Sequence, residues 1–354
     1  MELLKKIWND KFAKIALLVL VFLYTIILFA DFIAPYSSSY SDREMAYAPP
    51  SVIYTINENG KLSLPYTYNY IRQYDENLMQ TVFKQDRTKK YYIKLLPKAE
   101  KYRFLGIFPT HRHLFGIERG GQIYLLGTDI NGRDVFSRLL FGGRISMTVG
   151  FLALLIVFPI GLLYGGLSGY LGGIIDTLMM RFAEAVMAIP SFYLLIILAA
   201  ILPSGMTSVQ RFALIVVILA LIGWAGFARV VRGMVLSIKE EEFVQAEKVM
   251  GASKWRIILR HILPQTTSYV IIAMTLSVPS YILAESGLSF LGLGIQQPDA
   301  SWGNMLKEAQ EFTNILYRPW LLTPGGLIFI AVLSFNILGD AIRDFLDPKS
   351  EVRR

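Results

Sequence analysis

QAEKVMGASKWRIILRHILPQ, residues 245–265, separates two long apolar runs and carries Lys248, Lys254, Arg256, Arg260 and His261 around a central glycine, Gly251. Just upstream, Phe243, Ala246, Val249 and Met250 recur at i, i+3, i+6 and i+7, the spacing of one helix face, with Lys248 away from it. Gly251 breaks that helix. Ser253 is placed to cap a second one, in which Trp255, Ile258, Leu259 and Ile262 form an apolar stripe, Arg256 and Arg260 flank it, and Pro264 is expected to end the run. The stretch therefore predicts a helix–turn–helix, charged on one side and apolar on the other, fit to lie on a lipid surface or to dock on a soluble partner.

The runs around it set the class. The chain has 354 residues, is 54% hydrophobic and has a mean hydropathy of +0.45, with its apolar residues concentrated in blocks long enough to cross a bilayer. Such blocks fall at about 15–35, 146–170, 182–202, 212–230, 268–288 and 325–338 with its flanks. The first follows Lys5, Lys6, Lys11 and Lys14, but its apolar core is too long for a cleavable signal, so it is expected to stay as a first span. Six spans put both termini on one side. Under that topology the N-terminal lysines, then Arg229, Arg232, Lys239, Lys248, Lys254, Arg256 and Arg260, then Arg343, Lys349, Arg353 and Arg354 share a face, which the positive-inside bias makes cytoplasmic.

The segment 36–126 then lies outside. Asn59-Gly60, between two β-prone runs, is a strong hairpin signal, and Gly120-Gly121 in IERGGQIYLL suggests a second. A small β-containing extracytoplasmic insertion is expected there. The net charge of +8 does not form a basic stripe between stacking aromatics, so nucleic acid is not the expected partner; the bilayer is. Without cysteine the chain has no disulfide, thiolate metal site or cysteine nucleophile. GTDINGRD, 127–134, has the glycine spacing of a phosphate loop, yet Arg133 and Asp134 stand where a lysine and a hydroxyl are needed. His111 and His113 read as surface loop histidines without a third ligand at metal spacing. No catalytic, cofactor or metal site is expected. Glu184 and Glu285 lie in or beside apolar blocks, as groups lining a pathway or as carboxylates near span ends within reach of water. Asp129/Arg133 and Asp134/Arg138 read as i, i+4 pairs on an interfacial helix that leads into the second span.

The residues around Gly251 resemble the membrane subunits of binding-protein-dependent ABC importers, whose cytoplasmic motif runs Glu-Ala-Ala, three residues, Gly, nine residues, then Ile-x-Leu-Pro. Gly251, Leu263 and Pro264 match, whereas Gln245, Glu247 and His261 depart. LLGTDINGRDVFSRLLFGGRIS (125–146), SGLSFLGLGIQQPDASWGNML (286–306) and FNILGDAIRDFLDP (335–348) are similar to the C-type permease subunits of oligopeptide/dipeptide importers. The resemblance implies an all-α polytopic membrane protein with six transmembrane helices of ABC importer type: a cytoplasmic N-terminus and first helix at 1–35, the insertion at 36–126, and a transmembrane domain at 127–354 with coupling helices at about 238–264. It also implies a peptide permease of a prokaryotic cytoplasmic membrane, partnered by a second, B-type permease, two cytoplasmic ABC ATPases and an extracytoplasmic peptide-binding protein. ATP and Mg would belong to the ATPases and no cofactor to this chain. Gln245, Ala246, Glu247, Gly251, Ala252, Ser253, Lys254 and Pro264 would form the ATPase-coupling interface, with Asp129, Arg133, Glu184 and Glu285 as pathway or structural residues. An ion-gradient-driven secondary transporter or a non-transport scaffold is the alternative; the first predicts paired repeats or intramembrane ionisable clusters.

Overall fold

A computed structural model describes residues 2–57, 60–76, 80–104, 107–203 and 205–346. Helices dominate. After a short α1 (Glu2–Asn9), α2 (Lys11–Leu28) is long and apolar enough to cross a membrane, and α3 (Ala30–Ile33) continues from its end. Six strands follow: β1 (Tyr54–Ile56), β2 (Leu62–Asp75), β3 (Gln80–Leu95), β4 (Lys98–Phe104), β5 (Phe108–Arg112) and β6 (Phe115–Ile117). They form a four-stranded sheet in the order β1-β2-β3-β6 and a separate β4-β5 pair. The β1–β2 hairpin closes where it is expected, with Gly60 at φ 73° donating its N–H to the Asn57 carbonyl at 2.9 Å. Asn59 lies outside the described residues. The expected second hairpin does not form: Gly121 closes a turn onto Glu118 at 2.9 Å, but no strand follows it among the described residues.

The rest is helical: α4 (Val135–Leu171), α5 (Gly173–Ala188), α6 (Ser191–Ala200), α7 (Ser208–Ile238), α8 (Glu242–Val249), α9 (Lys254–Arg256), α10 (Thr267–Phe290), α11 (Trp302–Leu306), α12 (Phe312–Tyr317) and α13 (Thr323–Leu346). Five runs among the described residues have span length and hydropathy: Lys11–Leu28, Val135–Leu171, Ser208–Ile238, Lys254–Phe290 and Pro319–Leu346. The block expected at 182–202 is not one straight span. Its helices α5 and α6 meet at a bend of 77° at Pro190, so among the described residues a sixth span exists only if the bent pair is counted as one.

By its internal contacts the chain divides into two compact units, Met1–Leu20 with Met147–Leu288 and Phe329–Arg354, and Val21–Ser146 with Ser289–Ile328. In the first, α4 and α7 approach closely along a glycine row at i, i+4 and i+8. A Cβ on Gly161 would sit 3.0 Å from the Trp224 carbonyl, one on Gly165 would overlap the Ala228 carbonyl, and one on Gly169 would sit 2.8 Å from the Arg232 carbonyl. At the end of this row Asp176 accepts from Ser168 Oγ at 2.6 Å and from Arg232 Nε at 2.9 Å, tying α4, α5 and α7 together. In the second unit, Ala30, Ala34 and Leu140 form a small core with Ile26, Ile33, Phe136 and Phe141. Arg144 donates to Asp31 at 2.8 and 3.1 Å and anchors α4 to the end of α2.

Candidate functional site

The turn at residue 250 is built from its backbone. α8 ends in a Schellman motif, with the Ala252 N–H donating to the Glu247 carbonyl at 3.1 Å and the Gly251 N–H to the Lys248 carbonyl at 3.1 Å. Gly251 takes the left-handed conformation this requires, φ 77°, and a Cβ there would meet nothing within 4 Å. Glycine is needed for its backbone freedom alone, not for a close approach. Ser253 caps the next helix as expected, accepting from the Arg256 N–H at 3.3 Å.

Pro264 does not end the second helix. The run continues from Lys254 to Phe290 because Ile257–Ile262 open into a π turn, in which the Leu263 N–H donates to the Ile258 carbonyl, and Leu263–Thr266 tighten into a 3-10 turn. Proline lacks an N–H and its ring crowds the carbonyl four residues back; widening the preceding turn removes both problems.

The two expected apolar stripes divide between an inner and an outer face. Val244, Ile257, Ile258, Ile262 and Leu263 point inward, and Gly166 of α4 receives Leu263 and Ile258 at 3.0 and 3.6 Å from where its Cβ would be. Phe243 and Ala246 are exposed, as are Val249 (88%), Met250 (71%), Trp255 (55%) and Leu259. The helical period is right: the stripe of α8 faces outward together with Trp255 and Leu259, forming an apolar knob flanked by exposed Lys248, Lys254, Arg256 and Arg260, while Ile258 and Ile262 of the second stripe turn inward. Contiguous exposed apolar surface with a polar rim is characteristic of an interaction site.

The departures from the family motif have structural partners. Glu247 Oε1 lies 3.4 Å from His261 Nε2, a close approach across the elbow and not a directed hydrogen bond. The Gln245 side chain donates to the Lys239 carbonyl at 2.9 Å, joining α8 to the end of α7, and accepts from Lys248 at 3.4 Å. Lys248 also lies 5.8 Å over the ring of Tyr170, at the end of α4. Gln245, Ala246, Glu247, Gly251, Ala252, Ser253, Lys254 and Pro264 are thus gathered in one elbow whose inner side rests on α4.

The other singled-out residues lie elsewhere. Glu184 pairs with Arg181 at 3.2 Å. Glu285, expected within reach of water, is instead fully buried in α10 beside Ser286. Asp129 and Arg133 do pair, at 2.6 Å, but in a turn and not on a helix. The Asp134/Arg138 pair does not form. Asp134 instead caps α4, accepting from Ser137 N and Oγ at 2.8 and 2.6 Å, while Arg138 reaches Asp129 at 3.5 Å and the Pro298 carbonyl at 2.9 Å. No separate interfacial helix precedes the second span, since α4 begins at Val135 and runs through to Leu171.

The turn 127–134 gives a physical reason why its glycine spacing does not make a phosphate loop. The N–H groups that would cradle a phosphate are taken: Ile130 donates to Glu308 at 3.0 Å, Asn131 and Arg133 to the Asp129 carboxylate at 2.8 and 3.0 Å, and Gly132 to the Asp129 carbonyl at 2.9 Å. Burial pushes the Glu308 carboxyl up to about 7, reinforced by Asp129 and opposed by the Ile130 N–H, Arg133 and Arg138. Burial likewise pushes Asp134 up to about 7, against the hydrogen bonds from Ser137 and Phe136. Asp134 Oδ1 has no hydrogen-bond partner among the described residues. His111 is exposed as expected but lies in β5, not a loop, whereas His113, just beyond it, is buried against the Tyr102 ring at 4.7 Å.

Sequence reasoning missed the glycine row of α4 and the Asp176–Arg232 pair. The first was legible as GLLYGGLSG, two overlapping G-x-x-x-G motifs at 161–169. The second joins residues 56 apart in the chain and left no local signal.

Residues 138–352 match the family of the binding-protein-dependent transport system inner membrane component, and residues 2–50 match the N-terminal TM domain of oligopeptide transport permease C. The dipeptide transport system permease protein DppC of Bacillus subtilis (strain 168) is 47% identical over 225 residues, 63% of this chain and 68% of that protein. The oligopeptide transport system permease protein OppC of Haemophilus influenzae is 42% identical over 227 residues, 64% of this chain and 70% of that one. A crystal structure of an amino acid ABC transporter with histidines covers 59% of this chain and 94% of its own, at 18% identity and a TM-score of 0.41. With the family match spanning most of the chain, from the start of α4 through the elbow to the C-terminal helix, the protein is a member of the binding-protein-dependent transport system inner membrane components.

Proposed function

We propose that the chain is one transmembrane half of an ATP-driven importer of peptides of the oligopeptide/dipeptide class, coupled through residues 242–264 to cytoplasmic ATPases that hydrolyse ATP with Mg. A second, B-type permease completes the pathway and an extracytoplasmic binding protein delivers the peptide. The termini and the elbow face the cytoplasm of a prokaryotic cell, six spans cross the bilayer with α5 and α6 forming the broken one, and 36–126 is the extracytoplasmic insertion.

The observation that carries this is the outward-facing apolar knob of Phe243, Val249, Met250, Trp255 and Leu259 on an elbow whose inner face is packed against α4. A knob docked on a moving ATPase would transmit its displacement to α4 through Leu263 and Ile258. The glycine row of α4 would pass it to α7, so that the pair moves as a rigid body. Gln245, Ala246, Glu247, Gly251, Ala252, Ser253, Lys254 and Pro264 serve the elbow's shape and contact; Glu184, Glu285, Asp129 and Arg133 serve as structural charges. The test is a Gly251→Pro variant in the reconstituted importer, assayed with a peptide panel. Assembly with the partner permease is expected to persist, while ATP hydrolysis loses its dependence on peptide and transport is lost. Wild-type transport by the variant contradicts the proposal.

A further inference from the structure

The β4–β5 hairpin is the part of the insertion that lies beside the end of a span, and its contacts give its direction. The Phe104 ring lies 5.5 Å from that of Phe29, the residue directly after α2. Further from the turn, the Tyr102 ring packs tilted against that of His113, whose ring rests against the Asp31 and Ala34 carbonyls. The Leu114 N–H donates to the Phe32 carbonyl at 2.6 Å. Going up the hairpin from its turn therefore follows the chain from Phe29 toward Ala34, away from α2, and the turn end points back toward the span.

Side-chain chemistry changes along the same axis. At the turn end, Phe104 pairs with Phe108 in register, and beside them Ile107 is 70% exposed and Phe108 61%. At the far end Lys98 pairs with Arg112, both exposed, with His111 exposed next to them. Phe108 and Arg112 are four residues apart, about 13 Å along a strand, whereas a headgroup layer is about 5–7 Å thick on each side. With Phe108 at the hydrocarbon boundary and the strand along the normal, Arg112 stands clear of the headgroups, in water. The flank of α2 leading to Phe29 is also apolar and exposed, at Val21, Phe22 and Leu28. The hairpin's aromatic end thus continues the exposed apolar flank of α2.

We propose that the β4–β5 hairpin is a lipid-binding anchor, inserting Ile107 and Phe108 into the bilayer leaflet around the end of α2 and holding the insertion against the membrane. The proposal rests on α2 crossing a bilayer, and the experiment separates the two. Because the chain has no cysteine, single variants Ile107→Cys, Phe108→Cys, Arg112→Cys and Phe22→Cys each take one nitroxide label in the full-length protein. The labelled chains are reconstituted in phosphatidylglycerol/phosphatidylethanolamine nanodiscs, and collision with oxygen is compared with collision with a water-soluble nickel chelate. Labels at 107 and 108 are expected to favour oxygen several-fold, as the label at 22 does, while the label at 112 favours the chelate. If 107 and 108 collide with the chelate as 112 does while 22 stays in lipid, the hairpin stands in water and the anchor is overturned although the span holds. Protection of 107 and 108 from both reagents would mean that protein covers them, which also overturns it. Exposure of 22 to the chelate would remove the span itself, and the anchor with it.

Discussion

Gly251 marks the elbow most sharply at the scale of single residues, because its φ of 77° is open to glycine and costs an L side chain about 1–2 kcal/mol. Since nothing lies within 4 Å of an added Cβ, Gly251→Ala should destabilise by only that amount in thermal unfolding, and Gly251→Asn by less. A loss well above this would mean that the site is crowded. Glu247 and His261 face each other at 3.4 Å across the elbow although both depart from the family motif. A double-mutant cycle of Glu247→Ala and His261→Ala is expected to show a coupling of about 0.5–1 kcal/mol, and additivity would show that their proximity carries no energy. That the turn needs glycine was legible in the sequence, as was the Ser253 cap, because both depend on local backbone chemistry. The Glu247–His261 pair was not, because residues 14 positions apart meet only once the elbow has folded.

Elements rest on period and punctuation, and here the sequence was right about period and less reliable about direction. The stripes at 243–250 and 255–262 are helical, but the second is split by what packs against it: α4 offers Gly166 to Ile258 and to Leu263, while Trp255 and Leu259 stay outside. Pro264 stopped the helix in expectation because proline removes a hydrogen bond; the π turn before it shows how a helix accommodates that loss. Pro190 had the opposite outcome and produced a bend of 77°. The α7 start was readable as Thr207 to Gln210, a capping box in which the Gln210 N–H donates to Thr207 Oγ1 at 3.3 Å and the Thr207 N–H to Gln210 Oε1 at 3.0 Å. The α4–α7 contact gives the prediction at this scale. Gly165→Leu would drive a side chain into the Ala228 carbonyl and should cost about 1–3 kcal/mol, lowering the thermal midpoint in detergent, whereas Gly226→Ala, with open space around it, should leave it unchanged. Equal effects at both positions would refute the close-packing account.

Across the whole molecule the sequence disclosed a membrane protein with a β-containing segment, because apolar block length and turn chemistry are local signals. It could not disclose that 127–134 forms a buried ionic knot, whose partners Gln297, Pro298 and Glu308 come from far along the chain. That knot makes stability depend on pH. Asp134 and Glu308 hold their protons up to about 7 in the folded state, above the usual carboxylate range, so between about pH 4 and 7 the folded chain binds more protons than the unfolded one. Stability therefore falls as pH rises through that window, by at most about 1.4 kcal/mol per pH unit for each of the two carboxyls, and levels off above it. The thermal midpoint should be higher at pH 5.5 than at pH 8, with a smaller difference in Asp134→Asn; a midpoint that rises with pH would contradict this. The central claim, that the knob at residue 250 is a cytoplasmic docking surface for ATPases, is tested most directly by Met250→Cys and a membrane-impermeant maleimide. Labelling is predicted in inverted vesicles only, with protection when the ATPase subunits are bound; labelling of right-side-out vesicles would contradict it.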